Sequence, residues 1–448
     1  MLLPLAASAL ADDAPVSYFK QVRPILVSNC NACHKPEKLK GELDMTSVAM
    51  ILKGGKHGSD VVPGDVKKSK LIEMVSGDDP DMPKDGDPLP ADKVALLSRW
   101  IQQGAVDDTP KVGETKIEPP VYTVLPVVTA LAYSPDGALL AVTGYHEVLL
   151  HKSDGSAIVA RLTGEAPRIE SVCFSKDGMM MADCGGSPGE FGLVQIWNVP
   201  DLKLQKVWQI SGDSLYGISF APDEKTVAFG GADKIVHRIN VTDGKELLDF
   251  KAHADWVLGT VFTPDGKQLV SAGRDREMKL IDLENSRFID DINNPLEGIS
   301  CVAENPKALQ ILYGGDLGGA RLYKISDNQG RTSGRNDTNL IRNFETQKAP
   351  VTAVAFSPDG AAVAIGTLND VNIYTTNEGK KLYTLSGEQG PVYAVAYKPD
   401  GSQIATAGYD GMVRLYDAKT GNLVKQFMSV PLNGQGPTTA PSAQALQK

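Results

Sequence analysis

Apolar positions first recur with helical spacing: Tyr18, Phe19, Val22, Ile25 and Leu26 fall on one helix face. A second amphipathic run, Lys93 to Gln103, aligns Val94, Leu97, Trp100 and Ile101, follows the breakers Pro88 and Pro90, and stops at Gly104. From residue 121 the pattern changes to short β-branched runs that meet Pro-Asp-Gly turns. VAFSPDG at 354–360 returns as LAYSPDG at 131–137, VCFSKDG at 172–178, ISFAPD at 218–223, VFTPDG at 261–266 and VAYKPDG at 395–401, with a degenerate CVAENP at 301–306. In such a turn Pro presets the first dihedral and Gly accepts positive φ. Second strands follow at 361–366 and 403–408, then third strands at 371–374 and 413–417. The unit recurs every ~41 to 52 residues, the spacing of propeller repeats. Four antiparallel strands per unit, repeated radially, bury both sheet faces between neighbours.

These two patterns predict a small all-α domain over residues 14–106, followed by an all-β seven-bladed propeller over 121–430. The polar stretch 107–120, with Thr109-Pro110 and Pro119-Pro120, reads as a linker, and the tail 431–448 as disordered. At 448 residues a single core is not expected, so this division agrees with length. Residues 1–11, MLLPLAASALA, end in a small-x-small pattern before Asp12 and Asp13 and read as a truncated signal peptide, which predicts export. No later stretch approaches the roughly 18 apolar residues of a membrane helix, so no transmembrane segment is expected. The net charge of −10, with no basic stripe, argues against a nucleic-acid partner.

The candidate chemistry is concentrated in Cys30-Asn31-Ala32-Cys33-His34, a C-x-x-C-H pentad of the kind that attaches c-type haem. Two thiols, spaced to reach both haem vinyl groups, become thioethers, and the adjacent imidazole becomes the proximal iron ligand. A zinc knuckle would need four N/S ligands, and nearby the chain offers only Cys30, Cys33, His34 and the distant His57. One pentad predicts one covalent haem. It also favours a bacterial extracytoplasmic location, since such attachment occurs outside the cytoplasm. The sixth ligand is open on this reading: Met45, Met50, Met74 and Met82 are thioether candidates, and His57, in a glycine loop, is the bis-His rival. Cys173, Cys184 and Cys301 sit at small apolar strand positions and read as buried thiols.

Around the pentad the segment resembles the planctomycete-type cytochrome c domain. The resemblance rests on Phe19, VRPIL at 22–26, Cys30 to His34, GELD at 41–44, Gly54-Gly55, VPGD at 62–65, SKLI at 69–72, Met82-Pro83 and WIQQGA at 100–105. It implies Met82 as the distal ligand, because the family carries that ligand at the Met-Pro position; His34 and Met82 would then hold the iron. The array beyond residue 121 resembles a WD-repeat propeller. Ile196-Trp197-Asn198, Leu280-Ile281-Asp282 and Leu415-Tyr416-Asp417 stand where that family prefers an apolar residue and Trp-Asp, and His253 with Ser271 and Asp275 fits its internal hydrogen-bond network. His253, Asp275 and Asp410 are therefore expected to be structural. So are His146, His151 and His237, which lack Cys or carboxylate partners at ligand spacing.

The expected function is one-electron transfer through covalent haem, with no catalytic residue assigned and the propeller as a docking platform for a redox partner or envelope protein. Two rivals are a haem-dependent oxidoreductase with its active site in the propeller, and a redox or gas sensor whose output surface is the propeller. No second C-x-x-C-H and no His/carboxylate cluster in the array favours the enzyme reading.

Overall fold

The computed structural model describes residues 14–31, 33–35, 38–84, 86–109, 117–251, 253–294, 296–325 and 337–432. The signal-like segment, residues 110–116 of the expected linker, and the tail from 433 lie outside the described residues. The chain divides into two compact units, Met1–Glu114 and Thr115–Lys448.

The first unit is not all-α, which corrects the sequence expectation. A π-helical turn, Tyr18–Val22, runs into α1 (Arg23–Asn29), then comes a two-stranded antiparallel hairpin, β1 (His34–Lys35) with β2 (Lys38–Leu39), and a 3-10 turn at Lys40–Glu42. Three helices follow: α2 (Val48–Lys53), α3 (Lys70–Val75) and α4 (Ala91–Gln102). Glycines and prolines keep most of these elements to one or two turns. At Gly54 φ is +74°, and a Cβ there would lie 2.0 Å from the Gly58 carbonyl oxygen, so the chain leaves α2 into a turn closed by Gly55 and Gly58. One core joins the pieces: Tyr18, Val22, Leu26, Ile51, Val61, Leu97, Trp100 and Ile101 are buried together. Tyr18 packs on Trp100 at 5.5 Å between ring centroids, and the indole nitrogen of Trp100 donates to the Val106 carbonyl at 3.0 Å.

The second unit is all strand, but its repeats occupy six sheets rather than seven separate blades, a second correction. Five four-stranded meanders begin at Leu215, Val257, Ile299, Ala353 and Val392. The first two sequence repeats share one seven-stranded sheet: β3 (Leu131–Tyr133), β4 (Leu139–Thr143), β5 (Tyr145–Lys152), β6 (Ile158–Phe174), β7 (Met180–Ser187), β8 (Phe191–Asn198) and β9 (Lys203–Ser211). The cause is β6, which runs unbroken for 17 residues. Its first half pairs with β5 (Val148 opposite Leu162), its second half pairs with β7 (Val172 opposite Asp183), and Tyr145 of β5 reaches across to Arg168. No break therefore separates the outer strand of one repeat from the inner strand of the next.

Each sheet packs on both faces, so second and third strands read as continuous apolar runs rather than alternating ones; Thr226–Gly231 is buried at every position. The array closes on itself. Val128, Leu140 and Val142 from its beginning pack against Ala405, Val413 and Leu415 from its end. The inner strands line a central cavity of about 900 Å³. The Pro-Asp-Gly turns form as their residues require: Gly360 sits at φ +71°, and the Asp359 carboxylate accepts from the Ser357 hydroxyl at 2.6 Å and the Ala361 amide at 3.0 Å. Where the third copy lacks the glycine, Glu224 takes φ +60° instead.

Three buried histidines in this unit are held by partners inside the fold. His253 joins Asp275 at 2.8 Å and Ser271 at 2.8 Å. His237 corrects the sequence reading, for it has two carboxylate partners: Asp233 at 3.1 Å and Glu246 at 2.8 Å. Glu246 was not visible as a partner because strand pairing, not chain proximity, brings it there. His151 is buried with its Nε2 against the Ser429 carbonyl at 3.0 Å, and burial pushes its imidazole down to about 4.

His151 makes a testable pH dependence. The unfolded imidazole binds a proton below its ordinary value while the folded one refuses it, so its stabilising effect is full above about 6.5 and is lost as pH falls toward 4. Burial raises Asp183 and Glu304 to about 7, which pushes the other way, so the difference between variants is the informative quantity. Denaturation of the wild type and of His151→Gln is expected to show the variant losing less stability between pH about 7.5 and about 4.5, by up to roughly 3 kcal/mol. Parallel losses would remove His151 as a cause.

Candidate haem site

The pentad is set by the end of α1. Pro24 stands in the first turn of that helix, and Ser17 caps the preceding turn by accepting from the Lys20 amide at 2.9 Å. Cys30 ends α1 with its amide on the Leu26 carbonyl at 2.8 Å. The chain then folds back on Cys30, whose carbonyl accepts from both the Cys33 and the His34 amides at 3.1 Å. Cys30, Cys33 and His34 are thus carried on one compact turn. Beyond it the Lys40 amide donates to Cys33 (3.1 Å) and the Met45 amide to His34 (2.9 Å), so the backbone on the far side is held as well. Asp44, buried, receives the Thr46 amide at 2.9 Å and its hydroxyl at 2.6 Å, which fixes the chain as it leaves His34 for α2.

Met82 is placed by α3 and the loop after it. Its amide donates to the Met74 carbonyl at 2.9 Å. The start of α3 is fixed in turn by Ser69, whose hydroxyl accepts from the Val62 amide and donates to the Asp65 carbonyl, both at 2.8 Å. The Gly64 amide donates to Ile101 at 2.7 Å and ties that turn to the end of α4. Cys30 and Met82, both partly buried, pack on the same core, along with Leu43, Leu52, Val66, Ile72, Val94 and Leu96. The other methionines differ: Met45 is buried in the core, while Met50 and Met74 lie within α2 and α3. His57 is exposed at the tip of the Gly55–Gly58 turn.

The residues suit the group that the pentad implies. Both pentad cysteines are free thiols, and burial pushes the Cys30 thiol up to about 11, so it is held as the neutral thiol. The Nδ1 of His34 is buried and makes no hydrogen bond, leaving the imidazole uncommitted to any protein group. Half-buried aliphatic side chains beside Cys30 and Met82 offer the apolar surface a porphyrin face needs. Among the described residues no group of three or more His, Cys, Asp or Glu gathers as a metal would require, in this unit or in the propeller.

Carboxylate networks that the motifs did not signal lie in the propeller. Arg414 joins Glu388 at 2.6 Å and Asp410 at 2.7 Å, Arg161 joins Glu147 at 2.7 Å, and Arg321 contacts Glu297. Glu388 precedes its first strand by the same interval as His253 precedes Val257, and that offset was the available sequence signal. These charged groups neutralise one another within the fold. Cys173, Cys184 and Cys301 are free, and burial raises all three thiols.

Residues 30–86 match the Planctomycete cytochrome C family, a span that begins at the first pentad cysteine and includes Met82. Residues 259–435 match the β-propeller of the family described as Nucleolar protein 10-like, N-terminal domain. No curated relative matches the chain. Among the described residues no helix is long and apolar enough to cross a membrane. The two matches support a haem-binding cytochrome c domain fused to a β-propeller.

Proposed function

We propose that this protein is an extracytoplasmic one-electron carrier, with a single covalent haem on Cys30 and Cys33 and a propeller that docks a partner protein. The observation that carries the reading is the compact Cys30–His34 turn, with two free thiols and an imidazole whose buried Nδ1 has no partner. Cys30 and Cys33 would anchor the haem covalently through their two free thiols. Haem so bound supplies a reversible Fe(III)/Fe(II) couple. His34 and Met82 would hold the iron through an imidazole nitrogen and a thioether, a soft donor that raises the potential relative to His alone. Leu43, Leu52, Ile72 and Val94, partly buried on the core that Cys30 and Met82 share, would limit water at the bound group and favour its less charged reduced state.

Docking on the propeller is supported by apolar side chains exposed at one end of its sheets. Leu317 (74% exposed) and Tyr409 (60%) follow second strands, and Trp256 and Tyr393 lead into or begin first strands. Antiparallel connectivity puts these positions at the same end. Exposed apolar groups gathered on one face mark interaction surfaces.

The ligand assignment is tested by substitution in haem-loaded protein. Met82→Ala is expected to remove the weak far-red charge-transfer band of Met-ligated ferric haem and to lower the reduction potential, while His57→Ala leaves both unchanged. The reverse pattern would make His57 the ligand.

A further inference from the structure

The inner strands of the second unit share an irregularity. In four of them the ladder skips one residue: Glu170 between Ile169 and Ser171, Leu258 between Val257 and Gly259, Ser300 between Ile299 and Cys301, and Tyr393 between Val392 and Ala394. A bulge of this kind leaves a residue out of the pairing and re-aims its side chain. All four line the central cavity of about 900 Å³, together with Tyr216, toward the end of the sheets that carries Trp256 and Tyr409. Hydroxyls in the wall are spent on the backbone: Thr352 donates to the Val392 carbonyl at 2.6 Å, Ser300 to that of Gly314 at 3.4 Å, and Thr129 to that of Ile169. Charge is scarcer. Among the described residues Arg168 and Glu170 are the only charged side chains that line the cavity. They meet at 2.6 Å, but the arginine is 63% exposed and the glutamate 11%, so the carboxylate sits inside the mouth while its counter-ion lies largely in water. Burial raises the Glu170 carboxyl against the pull of Arg168, and a second cation beside it would hold it ionised. Tyr216 is its neighbour: burial raises the Tyr216 hydroxyl and the Glu170 charge adds to that rise. The Tyr216 ring stacks on Trp256 at 6.0 Å between centroids, and the Arg274 guanidinium already lies over Trp256 at 4.8 Å.

Resting on the reading of the propeller as a docking unit, we propose that this channel mouth is a binding site for a guanidinium group, an arginine side chain of the partner protein, with Glu170 as its counter-ion and the Tyr216 ring beside it. A planar guanidinium forks onto a carboxylate and lies against an aromatic face, whereas a lysine ammonium is a compact and strongly hydrated point charge. The pairing gains most where water is excluded, and Arg168, already largely in solvent, is the group that yields its place.

The test titrates the full chain by calorimetry with an alanine peptide that is blocked at both ends and carries one central arginine, and with the same peptide carrying citrulline, which keeps the shape of arginine without its charge. The arginine peptide should bind about tenfold or more tightly than the citrulline peptide. Glu170→Gln should abolish that preference, and Arg168→Gln, which removes the competing cation, should increase it. Loss of the charge contact removes only the difference between the peptides, whereas a disordered mouth loses both; should Glu170→Gln lose both, Arg168→Gln, at an exposed position, decides. A preference that survives Glu170→Gln, or that Arg168→Gln weakens, overturns the assignment. Equal affinity of the wild type for the two peptides overturns the guanidinium site and leaves the docking reading standing. Binding of neither overturns the site together with docking of a peptide segment at this end.

Discussion

Protein carrying Cys30→Ala and Cys33→Ala is expected to lose all covalently attached haem. Acid–acetone extraction of the wild type should leave the colour on the polypeptide, because a thioether survives conditions that release a merely coordinated group. In the double variant all colour should move to the organic phase, or the protein should emerge colourless. Single variants should keep one thioether and a shifted absorption band, since one vinyl group then remains unsaturated. The effect should be confined to the first unit: the propeller has its own closed core, from Val128 and Leu140 round to Ala405 and Leu415, and its unfolding should be unaltered. Colour extractable from the wild type, or zinc retained in its place, would end the haem reading.

A second large effect is expected in the propeller. Arg414 is 4% exposed at its side chain and neutralises Glu388 (2%) and Asp410 (12%). Removing one partner of a buried ion network costs about 3–5 kcal/mol, because the charges left behind have neither water nor a counter-ion. Arg414→Met should therefore destabilise the second unit by roughly that amount. Burial already raises the Glu388 carboxyl, and without the guanidinium that group should take up a proton, so the loss should shrink as pH is lowered. Replacing Glu388 and Asp410 by leucine as well should recover much of the stability, since an apolar set of similar volume has no charge to desolvate. The exposed pair Lys68–Asp65, with its lysine 76% exposed, gives the contrast: Lys68→Met should leave stability nearly unchanged, because solvent screens the pair. Tryptophan fluorescence in a denaturant titration reads the propeller variants, and an Arg414→Met protein within about 1 kcal/mol of wild type would show the network to be dispensable.

Short-range patterns were legible at the site. The C-x-x-C-H pentad was legible because its residues are neighbours in the chain, and the structure carries Cys30, Cys33 and His34 on one turn around the Cys30 carbonyl. The α4 face predicted from Val94, Leu97, Trp100 and Ile101 is the one that faces the core. Tyr18 was read only as an apolar position at helical spacing. Nothing in its neighbours along the chain signals that its hydroxyl lacks an acceptor; that becomes visible only when Trp100 and the rest of the core close over it. Glu246 beside His237 was missed for the same reason, since a third and a fourth strand had to pair before the two groups met.

The sequence by itself determined the change from helical to strand patterning near residue 121, the C-x-x-C-H motif and the repeating Pro-Asp-Gly turns, because all of these depend on contacts within a few residues. Tertiary structure decided the rest. It made six sheets of seven repeats, because β6 runs unbroken for 17 residues through Gly164 and Pro167, its first half pairing with β5 and its second half with β7. It also set a β-hairpin within a unit that helical periodicity alone would have made all-α, because residues flanking His34 take their hydrogen bonds from Leu39, Lys40 and Met45 rather than from the next helical turn. Backbone groups must be satisfied somewhere, and which partner satisfies them depends on what the folded chain brings within reach.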